Sequence, residues 1–340
     1  ERFSSTPFQG FLSRFFQAST QTKSFPVSPN RKAFFSQHPN TCQPLSREWI
    51  DTMPSSILLQ LDNDLQPSSF DSIVAIDAGV EQLLRYGNVQ ADSIEPLVHG
   101  AMFTRGGEDL KSTAIFIGGS DVTAAEELMN AACKAFFGPV RVSIMLDANG
   151  CNTTASAAVV AASRHLGLEG SKAIVLGGTG PVGRRVAQLL ALDGANVTLT
   201  SRSRERAEKA GLEISQKLDN DIQIEAISSE SIQSDISILD DRQIIISCGA
   251  AGVELLSEQQ IKALPNLAVA IDLNAVPPAG LGGIGVMDKA EPIGNGVGYG
   301  AIGVGGLKMK THRAAIASLF ESNDKRLDAA EIYEIAKNLG

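Results

Sequence analysis

Lys172-Ala173-Ile174-Val175-Leu176-Gly177 runs straight into Gly178-Thr179-Gly180-Pro181-Val182-Gly183, and the reading of this stretch decides the fold. A short apolar run closed by glycine predicts a buried strand. Arg184 to Leu192 follows with helical periodicity and stops at Gly194, and Asn196–Thr200 predicts the next strand. The Gly-x-Gly-x-x-Gly spacing of Gly178, Gly180 and Gly183 therefore sits in a strand–turn–helix, the setting in which it binds a dinucleotide. Gly178 is expected to permit the tight turn, Gly180 to let a pyrophosphate approach the backbone, and Gly183 to allow close helix–strand packing. With Thr179 in the turn and Pro181 and Val182 at the helix start, free backbone N–H groups and a partial positive charge face the phosphates. Glycine-rich turns also occur without ligands, so the setting rather than the spacing carries this reading.

The end of the second strand points to one dinucleotide over another. An NAD site usually places Asp or Glu there to hold the ribose 2′-hydroxyl. This chain has Ser201-Arg202-Ser203-Arg204, with Arg206 just beyond. Hydroxyl and guanidinium groups suit a 2′-phosphate, so NADP is the expected cofactor, with NAD use left open. A solvated basic helix start is the plainer alternative, since Glu205 and Glu208 share the stretch. Further on, Gln243–Ser247 and Ala268–Leu273 predict two more strands. Their carboxyl ends are where such a sheet holds its ligand, which makes Ala250, Ala251 and Asn274 candidates to border the nicotinamide. Cys248 has no adjacent base and reads as a small core residue.

Outward in both directions, strand and helix patterns alternate. Ile57–Leu61, Thr113–Gly118 and Val140–Leu146 predict strands, while Phe70–Ala75 fits helix or strand. Val122 to Phe136 predicts a helix ending at Gly138-Pro139, and an Ala-rich helix runs from Asn152 to about His165. Such alternation implies an α/β fold with a mainly parallel sheet and a Rossmann-type NADP-binding domain. Ala279 to Gly306 is dense in glycine and reads as loop, before a helix beginning at Leu307 and a last one over Asp328–Leu339.

Residues 1–52 differ from the rest: six bases against three acids give a net charge of +3, with many Ser, Pro and Phe. This composition reads as an unstructured extension, and it is also the acid-poor, Ser-rich pattern of an organellar transit peptide. Over the whole chain, 29 Lys and Arg against 38 Asp and Glu give −9, which argues against a nucleic-acid partner. Charged or glycine residues break every apolar run before the ~18–20 residues of a membrane span. The four cysteines are scattered, without metal-ligand spacing, so no metal is expected and a cytoplasmic, reducing location is the default.

Several segments together resemble one enzyme family. They are Leu61-Asp-Asn-Asp64, Pro67-Ser-Ser-Phe-Asp71, Tyr86-Gly-Asn-Val89, Thr104-Arg-Gly-Gly107 and Gly138-Pro-Val-Arg141. Asp147-Ala-Asn-Gly150, Asn152-Thr-Thr154, the glycine turn, Asn274-Ala-Val-Pro-Pro278 and Gly305-Gly-Leu-Lys-Met-Lys310 complete the set. In this order they resemble the NAD(P)-dependent methylene-tetrahydromethanopterin dehydrogenases of bacterial one-carbon metabolism, from about Met53 to the C-terminus. The resemblance implies a Rossmann domain over 166–309 and a smaller pterin-side α/β domain over 53–165 plus 310–340, with the active site between them. The implied reaction moves a hydride from a methylene-tetrahydromethanopterin, or a related tetrahydrofolate, to the nicotinamide, and a homo-oligomer is implied too.

Lys308 is expected from the Gly-Gly-Leu-Lys match to orient the pterin, the alternative being a surface lysine. Asp71 and the Asp62/Asp64 pair are candidates to hold pterin nitrogens or to balance the methenyl charge, and also suit helix-cap or turn roles. Arg105, Lys111 and Arg313 are candidates for an anionic tail, against a reading as solvated charge. His99, His165 and His312 read as structural or exposed, and Tyr333 with Lys337 as an incidental helical pair. Gln90 stands four residues after Tyr86, so the Tyr-x-x-x-Lys of folate dehydrogenase–cyclohydrolases is missing there. Two other readings stand beside this one: a shikimate-type NADP dehydrogenase, and a non-catalytic protein that binds NADP or a pterin.

Overall fold

The structure is a computed structural model that describes residues 54–218 and 222–340. The extension expected over residues 1–52 lies outside the described residues. The first part of the chain forms β1 (Ile57–Asp62), α1 (Ser69–Asp77), β2 (Gln82–Tyr86), α2 (Glu95–Phe103), β3 (Thr113–Gly118), α3 (Val122–Ala135) and β4 (Ser143–Leu146). Then come α4 (Cys151–Ser163), β5 (Lys172–Leu176), α5 (Pro181–Leu192), β6 (Asn196–Ser201), α6 (Arg204–Leu218), β7 (Glu225–Ser228) and α7 (Ser229–Ser234). The last part holds β8 (Ile244–Ser247), α8 (Glu258–Ala263), β9 (Val269–Asp272), β10 (Lys289–Ile293), β11 (Gly296–Tyr299), α9 (Ala301–Ser318), β12 (Arg326–Leu327) and α10 (Ala329–Lys337).

These strands make two sheets, ordered β12-β4-β3-β1-β2 and β10-β11-β9-β8-β5-β6-β7. Every pairing is parallel except that of β10 with β11. Period-two alternation sends the two faces of each strand into different cores. In the first sheet Leu59, Ile115 and Ile144 pack on the side of α2 and α3, while Leu58, Phe116 and Met145 pack against Ile316 of α9 and Leu319 just after it. In the second, Val175, Ile246 and Ile271 share a core with α4 and α5, and Ile174, Ile245 and Ala270 pack with Ile232 and Ile261.

The order of parallel strands reverses at β1, between β2 and β3, and at β5, between β6 and β8. Such switch points open a crevice at the carboxyl ends of the strands, where open α/β sheets bind ligands. The chain thus has two ready-made crevices. No helix among the described residues is long and apolar enough to cross a membrane.

The 70–75 segment is helical, because Ser68 caps it by accepting the Asp71 N–H at 3.2 Å. The strand expected over Val140–Leu146 begins only at Ser143, after a bridge between Phe137 and Val140. A larger difference lies in the glycine-dense segment. It holds β10 and β11, and α9 begins at Ala301 rather than Leu307. Its glycines serve close packing: a side chain on Gly300 or Gly303 would strike the backbone of Gly285–Asp288. That contact overrides the poor helix propensity of glycine.

Helix α9 belongs to two cores. Val304 and Leu307 near its start pack in the second sheet's core with α4 and α5, and Ala315 and Ile316 near its end, with Leu319 just beyond, in the first sheet's core with Leu58, Phe116 and Met145. Arg185 of α5 adds a polar tie: it is buried, donates to Asn152 at the start of α4, and pairs with Glu126 of α3 at 3.0 Å.

Candidate active site

The first crevice is a cavity of about 520 Å³ at the carboxyl ends of β5, β6 and β8. Thr179, Gly180, Ser201, Arg202, Arg206 and Ala250 all line it. The glycine turn works differently in detail from the expectation. The left-handed residue is Gly177, at φ +66°, whose absent side chain leaves room for Gly249 Cα, 2.7 Å from where a Cβ would lie. Gly178 is buried and packs instead against Val175 and Leu199, while its N–H donates to the Thr200 carbonyl at 2.9 Å. Gly183 packs on Gly178, a Cβ there lying 2.6 Å from Gly178 Cα, as helix–strand closeness requires.

Gly180 has nothing within 4 Å of its Cβ position, so its face toward the cavity is open. It also caps α5 without a side-chain hydrogen bond, followed by Pro181 at the first helical position. The Val182 and Gly183 N–H groups thus precede the first intrahelical bond, made by Arg184 N–H to the Gly180 carbonyl at 3.0 Å. A cradle open to phosphates, with two exposed guanidinium groups beside it, fits NADP. Val182 itself is half-buried and packs against both the second sheet's core with α4 and α5 and the first sheet's core with α2 and α3.

Two expected nicotinamide neighbours lie elsewhere. Ala251 is exposed and does not line the cavity. Asn274 is buried and folded onto its own loop, accepting the Val276 N–H at 2.9 Å and donating to the Pro278 carbonyl at 3.1 Å. It holds the loop in an Asx turn rather than facing the ligand. Conversely, Ser229 and Gln233 of α7, with Ile232, Val253 and Leu255, line the cavity and were not expected. Helix α7 is six residues long in a Ser-rich stretch, too short for hydrophobic periodicity to show it.

The second crevice is a cavity of about 270 Å³ lined by Asp64, Ser68, Phe70, Asp71, Gly119, Ser120, Asn149, Gly150 and Lys308. It sits where β1 and β3 end, at the switch point of the first sheet. Lys308 and Asp71 therefore share one cavity, although 237 positions separate them in the chain. Lys308 Nζ lies 5.5 Å from the centroid of the half-exposed Phe70 ring. On its other side the ammonium rests on Gly150, at φ +59°, where any side chain would fall onto Nζ. Asn149, at φ 52°, and Gly150 thus form a left-handed turn that seats the lysine. Gly150→Ala is expected to cost more than tenfold in turnover, through both the strained φ and the displaced ammonium, with NADP affinity kept. Steady-state kinetics beside cofactor titration checks this.

Asp71 is buried, and its carboxyl is pushed up to about 7 by burial and then by the neighbouring Asp147 carboxylate, against the pull of Ser68 and Lys308. Asp147 is itself occupied with capping α4, accepting the Asn152 N–H at 2.9 Å and the Thr153 hydroxyl at 2.7 Å. Asp62 differs from its expected role. It is fully buried below the cavity, where it accepts the N–H groups of Asp64 at 2.9 Å and Ser68 at 3.1 Å. It shapes the loop, whereas Asp64 lines the cavity and holds Ser120 by its hydroxyl at 2.7 Å. Arg105 donates to the carbonyls of Ser112 and Ser55, and Lys111 pairs with Glu108, so neither lines the cavity.

Residues 69–149, which include Phe70, Asp71 and the Asn149 turn, match the family described as methylene-tetrahydromethanopterin dehydrogenase, N-terminal. Residues 172–259 match the NAD-binding domain of 3-hydroxyacyl-CoA dehydrogenase. Among curated proteins, the chain is 42% identical over 289 residues to the bifunctional protein MdtA of Methylorubrum extorquens, covering 84% of this chain and 100% of the relative. It is 34% identical over 294 residues to an NAD(P)-dependent methylenetetrahydromethanopterin dehydrogenase of the same organism, covering 84% of this chain and 98% of the relative. A solved shikimate dehydrogenase in complex with NADP+ aligns with a TM-score of 0.46 at 15% identity, over 84% of this chain and 94% of that one. With a dinucleotide cradle on one sheet, a lysine–carboxylate cavity on the other, and near full-length similarity to these relatives, the chain belongs to the NAD(P)-dependent methylene-tetrahydromethanopterin dehydrogenase family.

Proposed function

We propose that this enzyme transfers a hydride from methylene-tetrahydromethanopterin to NADP, giving the methenyl form, in one-carbon metabolism. The observation that carries the reading is the second cavity: Lys308 of α9 converges there with Phe70 and Asp71, which lie in the segment that matches this family. When bound, NADP supplies the hydride acceptor. The lone pair of a pterin ring nitrogen expels the hydride as the methenyl cation forms, so no proton has to be removed from carbon. Positioning and charge balance then dominate the rate.

In this reading the Phe70 ring offers a flat face to the pterin, the Lys308 ammonium donates to its acceptors, and ionised Asp71 balances the developing cation. The open Gly180 face and the start of α5 receive the pyrophosphate, and Arg202 with Arg206 takes the 2′-phosphate. The proposed lobes are 53–165 plus 310–340 for the pterin and 166–309 for the cofactor, with α9 crossing the boundary so that Lys308, from the cofactor side of it, reaches the pterin cavity. Exposed Ile73 and Ile76 on α1 support a homo-oligomer, and the free thiols of Cys133, Cys151 and Cys248 suit a cytoplasmic setting. Methylene-tetrahydrofolate is a second carrier for the same site.

Mixing the protein with methylene-tetrahydromethanopterin and NADP is expected to raise the reduced-nicotinamide absorbance and the methenyl chromophore together. Neither signal, or turnover of shikimate in their place, would overturn the reading. Arg202→Ala is expected to lower the NADP-to-NAD ratio of kcat/KM by about 10- to 100-fold, the worth of hydrogen bonds to a charged group. An unchanged ratio in that variant removes the 2′-phosphate role.

A further inference from the structure

His312 lies on α9 one turn after Lys308 and therefore on the same face of the helix. It is fully buried, and neither ring nitrogen has a hydrogen-bond partner among the described residues. Its ring stacks on Phe116, with centroids 5.7 Å apart, and tilts against Phe70 at 6.2 Å. Nε2 points toward Asp71, 4.0 Å from Oδ1. An apolar side chain would fill this aromatic slot without stranding two polar atoms, so packing alone does not account for an imidazole here.

We propose that His312 is the positioning residue of Asp71, its ring N–H closing onto the Asp71 carboxylate and supporting the ionised form. The inference rests on the reading of Asp71 as the carboxylate that balances the methenyl cation. The surroundings show why a donor is needed. Asp62 from β1 and Asp147 from beyond β4 oppose the ionisation of Asp71, and Lys308 and the Ser68 hydroxyl favour it. When the Lys308 ammonium turns to the pterin, Asp71 loses its cationic neighbour, and a neutral imidazole one turn away supplies an N–H in its place. Burial and the Lys308 charge hold His312 below the usual imidazole range, against the pull of Asp147, so near neutral pH the ring is uncharged and donates without adding charge.

The test is carboxyl ¹³C NMR of aspartate-labelled protein without substrate, the Asp71 signal being assigned by its loss in Asp71→Asn. His312→Phe is expected to raise the Asp71 midpoint by about one pH unit, the scale of a lost hydrogen bond to a carboxylate. His312→Gln, which keeps an N–H, is expected to stay near the wild-type midpoint. In wild-type protein the His312 ring nitrogen shifts are expected to move with the Asp71 titration, a reading that needs no variant to fold. An unmoved midpoint in His312→Phe, an equal rise in His312→Gln, or ring shifts indifferent to Asp71 would each overturn the proposal. Wild-type protein that titrates as expected yet never oxidises methylene-tetrahydromethanopterin would instead sink the functional reading alone.

Discussion

Lys308→Ala is expected to lower kcat/KM for the pterin by about 10²- to 10³-fold, the usual cost of removing one preorganised charge or donor at a reacting centre. NADP affinity is expected to stay at the wild-type value. The split follows from placement: Lys308 lines the smaller cavity and touches Gly150 and Phe70, whereas the dinucleotide cradle is built from β5, α5 and β6. Lys308→Arg is expected to rescue little. A planar guanidinium is bulkier than an ammonium, and the Gly150 seat leaves no room for the fork. Steady-state kinetics with cofactor fluorescence titration decides the matter. Turnover within tenfold of wild type, or NADP affinity lost in step with turnover, would refute the assignment.

Asp71→Asn is expected to separate stability from activity. The folded carboxyl titrates near 7 rather than at 3.8, so between these values the unfolded chain is ionised while the folded one holds a proton. Unfolding then releases a proton, and stability falls as pH rises through this window. Above about pH 7 the full penalty is present, on the order of 4 kcal/mol for a shift of this size. Asparagine carries no such penalty, so the variant is expected to melt several degrees higher at pH 8 and near wild type at pH 4. Turnover moves the other way. Wild-type oxidation is expected to rise as pH climbs through about 7 and then level off, while Asp71→Asn is slow and flat across that range. Thermal melts at the two pH values and a kcat profile check both halves. A variant destabilised at pH 8, or one that keeps the wild-type pH step, contradicts the role given to Asp71.

The fold was legible where local pattern and burial agree. The 172–192 strand–turn–helix announces itself because an apolar run meets glycines and then a helical stripe. Strand β2 does not, because Gln82–Tyr86 is a mostly exposed edge strand with little side-chain alternation to read. The start of α9 was hidden for the opposite reason, since glycines that look like loop are held helical by contact with Gly285–Asp288. In the glycine turn, the Gly-x-Gly-x-x-Gly spacing singles out Gly178, and only the backbone shows that its neighbour Gly177, outside the spacing, takes the positive φ. Asp62 and Asp64 look interchangeable in sequence; the former ends β1 inside the core and the latter emerges at the cavity. The meeting of Lys308 with Asp71 depends on long-range topology, so spacing along the chain carries no trace of it, and neither did the environment of His312.

Because a single unbroken helix, α9, is rooted in one core of each sheet and carries Lys308 between its two anchorages, the two sheets cannot swing far apart without bending it. Ligand exchange must then fall to the loops at the mouths of the crevices, while the spine between the two crevices stays stiff. Loosening mutations in that spine should blur the alignment of the reacting carbons long before they unfold the protein.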